Sequence, residues 1–120
     1  MNMNQFTQKS LAAIQGAQDI ALEHGNQQIE QPHLLLALVG DAEGFIPQLL
    51  TAVGLTVPSF EAAVSAEVSK LPKVSGSGRE SGKVYVSQDV DRALQAAEQE
   101  AHAMKDEYIS VEHILLGLLA

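Results

Sequence analysis

The sequence predicts an all-α fold, built as a duplicated helical bundle with pseudo-two-fold symmetry. Three observations predict it: 46% apolar residues with only 4% aromatic ones, a capping signal before most apolar stretches, and an internal repeat. Small and aliphatic side chains in this proportion favour close helix packing over aromatic-rich strands. A chain of 120 residues is long enough for one modest core. We therefore expect residues 1–120 to form a single domain.

Four helices are predicted in the first half of the chain. Thr7 is placed to cap a long helix that continues through His24 and ends at Gly25. The next three each carry a proline in or near the first turn, where the missing N–H costs nothing. They are expected from about Gln31 to Val39, from near Ile46 to Val53, and from Pro58 to about Leu71.

A change in composition separates these helices from the rest of the chain. Residues 72–86 are rich in glycine and serine and contain one brief extended patch, Val84 to Val86. This composition predicts a flexible loop with a short strand-like piece. Ser87 is then placed to cap a second long helix to about Met104, and Ser110 to cap a final helix that runs to the end.

The internal repeat has a spacing of 80 residues, and no gap is needed to align the two copies. Ten of the 31 positions from Gln8 to Leu38 are identical in the second copy, among them three alanines and one histidine. Helical periodicity alone would align leucines, but it would not also align the caps Thr7 and Ser87. We therefore predict a duplication, with repeat one at about 6–71 and a partial repeat two at 87–120. The second copy lacks counterparts of the third and fourth helices, so we expect a truncated repeat and a fragment of a longer protein.

Composition excludes several classes of function. The net charge is −8, from 15 acidic and 7 basic residues, which disfavours nucleic-acid and anionic-membrane partners. The absence of cysteine rules out a disulfide framework and thiolate metal sites. The N-terminus has no signal-peptide pattern, and no apolar run is long enough to span a membrane. We expect a cytoplasmic protein.

No motif in the sequence predicts catalysis. The segment from Gly76 to Lys83 fails the phosphate-loop spacing, which requires glycine at Ser77 and a hydroxyl at Val84. The histidines form no pair at the helical spacing typical of metal ligands. His33 and His113 are repeat equivalents in the first turn of a short helix, where we expect local hydrogen bonding. We therefore predict a domain that is not an enzyme and holds no metal or cofactor.

Two short motifs carry a resemblance to a known family. The stretches IEQPHLLLAL from Ile29 and ISVEHILLGL from Ile109 resemble the paired half-repeats of the Clp N-terminal domain. The opening Phe6-Thr7 and the inter-repeat LPKV from Leu71 are similar to the ClpB branch of that family. The resemblance implies an all-helical domain of about eight helices, joined to a hexameric motor whose ATP-binding modules lie outside this chain.

By this resemblance, the function expected is non-catalytic recognition of unfolded or aggregated polypeptide for a ClpB-like disaggregase. The alternative is an adaptor- or substrate-docking domain of a ClpC- or ClpA-like unfoldase that serves a protease. The ClpC pattern has glutamate before histidine in both halves. Here Glu112 precedes His113, whereas Pro32 precedes His33, and this departure favours the ClpB branch.

The resemblance also implies four substrate-contacting residues: Thr7, Leu94, Asp106 and Glu112. Each has a simpler explanation, because Thr7 caps a helix, Glu112 suits a helix N-terminus, and Leu94 can be core like its counterpart Ile14. An unfolded chain needs an accessible apolar groove with a polar rim, for which Leu94 and its surroundings are candidates. An acidic rim would favour segments that mix apolar and basic residues.

Overall fold

The computed structural model describes residues 3–41, 44–73 and 85–119. Its helices are α1 (Gln8–Glu23), α2 (Gln31–Gly40), α3 (Phe45–Ala52), α4 (Val57–Ser69), α5 (Gln88–Ala103) and α6 (Val111–Leu119), preceded by a 3-10 turn, Met3–Gln5. Two short strands, β1 (Gln28–Ile29) and β2 (Tyr85–Val86), pair in parallel. The predicted all-α class is confirmed, with helix ends within two residues of those expected. Residues 74–84 of the predicted loop, including the glycine-rich segment, lie outside the described residues.

The two long helices begin with the predicted side-chain caps. The Thr7 hydroxyl oxygen accepts a hydrogen bond from the backbone N–H of Ser10 at 3.1 Å. In the second repeat the Ser87 hydroxyl oxygen accepts one from the backbone N–H of Val90, also at 3.1 Å. Each bond satisfies one of the donors left free at a helix start. The two helices have the same length of 16 residues.

The same two helices also end alike, although only one ends in glycine. Gly25 has a φ of 71°, and the backbone N–H of Asn26 donates back to the carbonyl of Ala21 at 2.9 Å. In repeat two Lys105 has a φ of 61°, and Asp106 donates to Ala101 at 2.9 Å. This is the left-handed helix end that glycine normally provides. Lys105 therefore occupies a backbone conformation that is unfavourable for a residue with a Cβ.

Short parallel pairings tie the two repeats together. Phe6, just before α1, forms a bridge with Ile109, while Val86, just before α5, pairs with Ile29. The following backbone N–H groups, of Thr7 and Ser87, donate to the carbonyls of Ile109 and Ile29 at 3.0 and 3.1 Å. Under the 80-residue shift each pairing becomes the other. The pseudo-two-fold symmetry predicted from the sequence is thus present in the backbone.

The core lies where the paired helices of each repeat cross. Ala17 and Ala97 are fully buried at equivalent positions on α1 and α5, and they allow the helix backbones to approach closely. On α6, Gly117 lies directly against the α5 backbone. A Cβ at this position would stand only 3.0 Å from the backbone nitrogen of Ala97. The first repeat places its glycine on the other helix, where a Cβ on Gly16 would lie 3.4 Å from that of Ala37.

Helices α3 and α4 complete the first repeat. Both contact α2, and α4 buries Val64 and Val68. Within residues 85–119, the second repeat contains only α5 and α6. Leu119 is 74% exposed, whereas its repeat-one counterpart Val39 is 2% exposed.

Each described helix is shorter than the roughly 20 residues that a helix needs to span a bilayer. Across residues 3–41, 44–73 and 85–119, no single helix is long and apolar enough to cross a bilayer. Taken together, α2 and α3 reach the length and apolar content of a membrane span, but the two helices are bent by 90° from each other.

Candidate functional site

The first candidate surface is the turn between α5 and α6 together with Thr7, which we call the corner. The carbonyl of Ile109, in this turn, accepts hydrogen bonds from the Thr7 backbone N–H at 3.0 Å and the Ser10 hydroxyl at 2.9 Å. The N–H of Ile109 donates to the carbonyl of Gln5 at 2.7 Å. These bonds hold the start of α1 against the segment that carries Asp106. Two of the predicted contact residues, 99 positions apart in the chain, are therefore brought to one region.

A histidine orients the Asp106 carboxylate. His113 Nδ1 accepts a hydrogen bond from the backbone N–H of Ser110 at 2.9 Å, so in the neutral ring Nε2 carries the proton. Nε2 then donates to Asp106 Oδ2 at 2.8 Å. The His113 side chain is 3% exposed and that of Asp106 is 50% exposed. The buried imidazole therefore fixes a carboxylate that still faces solvent.

In the first repeat His33 makes the corresponding hydrogen bonds, but its Nε2 partner is an uncharged asparagine. His33 Nδ1 accepts from the backbone N–H of Glu30 at 2.8 Å, and Nε2 donates to Asn26 Oδ1 at 2.8 Å. Burial lowers the pKa of His33, with a smaller contribution from the nearby His24, because the charged ring would lose its hydration. Asn26 is 2% exposed and also donates to the carbonyl of Pro72 at 3.0 Å. The local hydrogen bonding expected at both histidines is confirmed. Of the two side chains that accept from Nε2, Asn26 is buried and uncharged, whereas Asp106 is an exposed acid.

The other two predicted contact residues differ in position. Glu112 lies in the first turn of α6, beside His113, and is partly exposed. Leu94 is 8% exposed and belongs to the hydrophobic core, as the simpler explanation of this residue proposed. The structure thus places Thr7, Asp106 and Glu112 around the corner, while a contact through Leu94 requires its side chain to be uncovered and stays a prediction.

Exposed apolar side chains at the corner were not singled out from the sequence. Met104 is 49% exposed and Tyr108 is 52% exposed. Tyr108 directly precedes the buried Ile109, and alternation along the extended backbone directs its side chain outward. A turn that contains an exposed methionine and tyrosine as well as an oriented carboxylate offers groups suited to apolar and basic partners.

A second candidate site is a groove in the first repeat, of about 1040 Å³, between α1 and α4 with α2 as its floor. The α1 wall is formed by Ala12, Gly16 and Ile20, which recur every four residues beside the buried stripe of that helix. At the rim the Lys9 ammonium lies 3.0 Å from the Asp41 carboxylate. Sequence reasoning missed this groove, although the four-residue spacing was a readable signal.

The donor groups of these sites do not form a metal centre. Within the described ranges, no three groups from histidine, aspartate or glutamate converge to hold a metal ion. The polar groups at the corner instead pair with one another and with the backbone.

Comparisons with known proteins identify the family. A family model described as the Clp repeat (R) N-terminal domain matches residues 5–120. The chaperone protein ClpB of Porphyromonas gingivalis is 43% identical over 119 residues, which are 99% of this chain and 13% of that protein. The chain thus spans about an eighth of the length of this curated relative.

Solved structures agree on the fold. The N-terminal domain of Hsp104 from Candida albicans superposes with a TM-score of 0.84 at 24% identity, covering 96% of this chain and 73% of that one. The N-terminal domain of the caseinolytic protease associated chaperone ClpD from Arabidopsis thaliana gives 0.71 at 27% identity, with 98% and 77% covered. The resemblance carried by the two histidine motifs is confirmed: the chain belongs to the Clp repeat N-terminal domain family.

Proposed function

We propose that this domain recognises unfolded or aggregated polypeptide on behalf of a ClpB-like ATP-dependent disaggregase. The observation that carries the proposal is the corner: the α5–α6 turn is bonded to the start of α1 at Thr7, holds Asp106 through His113, and also contains the exposed Met104 and Tyr108. The curated ClpB relatives support it, since they match over nearly the whole of this chain. In the same proposal, ATP turnover and hexamer formation belong to motor modules outside these 120 residues, and the parent protein acts in the cytoplasm.

Physical chemistry favours weak, broad recognition at the corner. The His113 hydrogen bond fixes the Asp106 carboxylate before any partner arrives, so little ordering entropy is lost on binding. Met104 and Tyr108 offer apolar contact without a shaped pocket. A surface of this kind accepts many sequences and is tightly complementary to none. We expect a preference for segments with apolar residues next to lysine or arginine.

The experiment measures how variants that neutralise the acidic residues of the corner bind a permanently unfolded protein, prepared by reduction and alkylation. Asp106→Asn copies the Asn26 side chain that bonds His33 in repeat one, so the fold is retained while the charge is lost. Combined with Glu112→Gln, it should weaken binding about threefold to tenfold, the range for two partly exposed charges. Glu67→Gln on α4 combined with Asp19→Asn on α1 removes the same two charges at exposed positions away from the corner and should leave binding unchanged. Equal affinity of the double variant and this control would refute the assignment.

Adaptor docking for a protease-associated unfoldase is the second candidate. The likeness to the ClpD domain, at 27% identity and a TM-score of 0.71, favours it. The proline at position 32, where the ClpC pattern has glutamate, disfavours it. Titration of the chain with a purified adaptor protein of a protease-associated unfoldase separates the two: micromolar binding of the adaptor with no binding of unfolded protein would select this candidate.

A further inference from the structure

We propose that the groove between α1 and α4 is a second polypeptide-binding site, which takes a short apolar segment flanked by a basic residue. The inference rests on the proposed function, recognition of unfolded polypeptide, and adds a site separate from the corner. The floor is α2, on which α1 and α4 both pack. Phe45 and Ile46 of α3 and Val111 of α6 also line it.

The dimensions fit a short piece of extended chain. The α1 wall runs from Lys9 to Ile20, a length of about 16 Å at the helical rise of 1.5 Å per residue. An extended strand of about five residues has the same length. On the opposite wall, Pro58, Ala62 and Ser65 repeat along α4 and present small side chains, so backbone can approach closely.

The duplication indicates that folding does not require the apolar side chains of Ala12 and Ile20 on the α1 wall. The buried α1 positions are kept in repeat two, as Ala13 and Ala17 become Ala93 and Ala97. Of the residues that line the groove, Ala13 and Leu36 are kept as Ala93 and Leu116, whereas two positions on the α1 wall are not kept. Under the 80-residue shift, Ala12 corresponds to Arg92 and Ile20 to Glu100.

Core packing does not account for Ile20 and Leu36, although the groove also reaches core residues such as Leu38 and Ile46. Ile20 and Leu36 line the groove and are partly buried, yet neither belongs to the core or to the partly buried side chains packed on it. Ala12 is exposed on the same wall. An apolar wall that neither the core nor the repeat requires is a surface for a partner.

Charge selects the kind of partner. Lys9 and Asp41 neutralise each other across the rim at 3.0 Å, and Glu61 lines the groove from α4. The rim is therefore net acidic, on a chain of net charge −8. A second copy of this chain would bring more acid to an acidic rim, whereas a lysine or arginine beside an apolar segment is complementary. The occupant is thus an apolar, basic-flanked stretch of unfolded polypeptide.

The test uses the full chain and two synthetic peptides, each with five apolar residues, flanked either by lysines or by glutamates. The lysine peptide should bind about tenfold more tightly at low salt, and its binding should shift the NMR signals of Ala12, Ile20 and Ala62. Ala12→Arg and Ile20→Glu introduce the residues of repeat two, with opposite charges. Both should weaken binding of the lysine peptide about tenfold, because both remove apolar contact.

Control variants distinguish the loss of apolar contact in the groove from the effect of adding a charge to α1. Gln15 is exposed on α1 and does not line the groove, so Gln15→Arg and Gln15→Glu should change the affinity less than twofold. Since Ala12 is exposed, Ala12→Arg should fold normally even if Ile20→Glu is destabilised, and urea unfolding checks both.

Three results would overturn the inference. The first is equal affinity of the groove variants and the Gln15 controls. The second is mapping of the peptide to the corner alone, in which case the groove fails while the proposed function stands. The third is concentration-dependent self-association that Ile20→Glu abolishes, which would make a second copy the occupant. If neither peptide nor unfolded protein binds anywhere on the chain, the proposed function falls as well.

Discussion

Replacing Gly117 by alanine tests the helix crossing that holds repeat two together. A Cβ at Gly117 would overlap the carbonyl oxygen of Ala93 and stand 3.0 Å from the backbone nitrogen of Ala97. Both atoms belong to the α5 backbone, so no side-chain rotation relieves the overlap. Overpacking of this kind costs about 3 kcal/mol at the upper end of its usual range. The better helix propensity of alanine returns up to about 1 kcal/mol, which leaves a net loss of about 2 kcal/mol.

Gly40→Ala is the matched control, because a Cβ there meets nothing within 4 Å at the end of α2. Its stability should be unchanged or should rise by up to about 1 kcal/mol. Urea unfolding followed by circular dichroism gives both free energies. Thermal unfolding should place Gly117→Ala about 8 °C below the unmodified chain, at about 4 °C per kcal/mol. If Gly117→Ala is as stable as Gly40→Ala, the close approach of α5 and α6 is wrong.

Two further predictions concern the helix end and the buried histidine. Lys105→Gly should stabilise the fold by up to about 1 kcal/mol, since glycine adopts the observed φ of 61° without strain. Gly25→Ala should destabilise the fold by about 1–2 kcal/mol, because alanine disfavours the positive φ at this position. The urea midpoints of the two variants should therefore shift in opposite directions. Because burial lowers the pKa of His33 in the folded state, the unfolded chain binds more protons below the ordinary value of 6.5, and stability should fall as pH drops from about 7 towards 5. His33→Gln should make that dependence shallower, and an unchanged slope of unfolding free energy against pH would contradict the role of burial.

Much of the fold was predictable because short sequence patterns determine where its helices begin and end. The caps Thr7 and Ser87 and the helix end at Gly25 are each fixed by a hydrogen bond within a few residues. The prolines lie in first turns, where the N–H that they lack would have no partner. The repeat supplied the symmetry. His33 and His113 were predicted, as repeat equivalents, to form local hydrogen bonds at the helix start, and the bonds from the N–H groups of Glu30 and Ser110 confirm this.

The parts that were missed depend on contacts between distant residues. The strand Gln28–Ile29 has two residues, too few for an alternating pattern, and it exists because Tyr85 and Val86 pair with it. The position of Leu94 was left open between groove and core, because both fit the same helical spacing. The four-residue spacing on α1 indicates one wall of the groove, but the groove also needs α4 packed on α2 opposite that wall, and this arrangement is not encoded in any local pattern.

Discrimination between unfolded and folded polypeptide by this domain can be measured with one protein in two states. A small disulfide-bonded protein is labelled and titrated with the chain, once in its native form and once after reduction and alkylation. We predict micromolar or weaker binding of the unfolded form, reduced by Asp106→Asn with Glu112→Gln, and no binding of the native form. Equal binding of both forms, or of neither, would contradict the account.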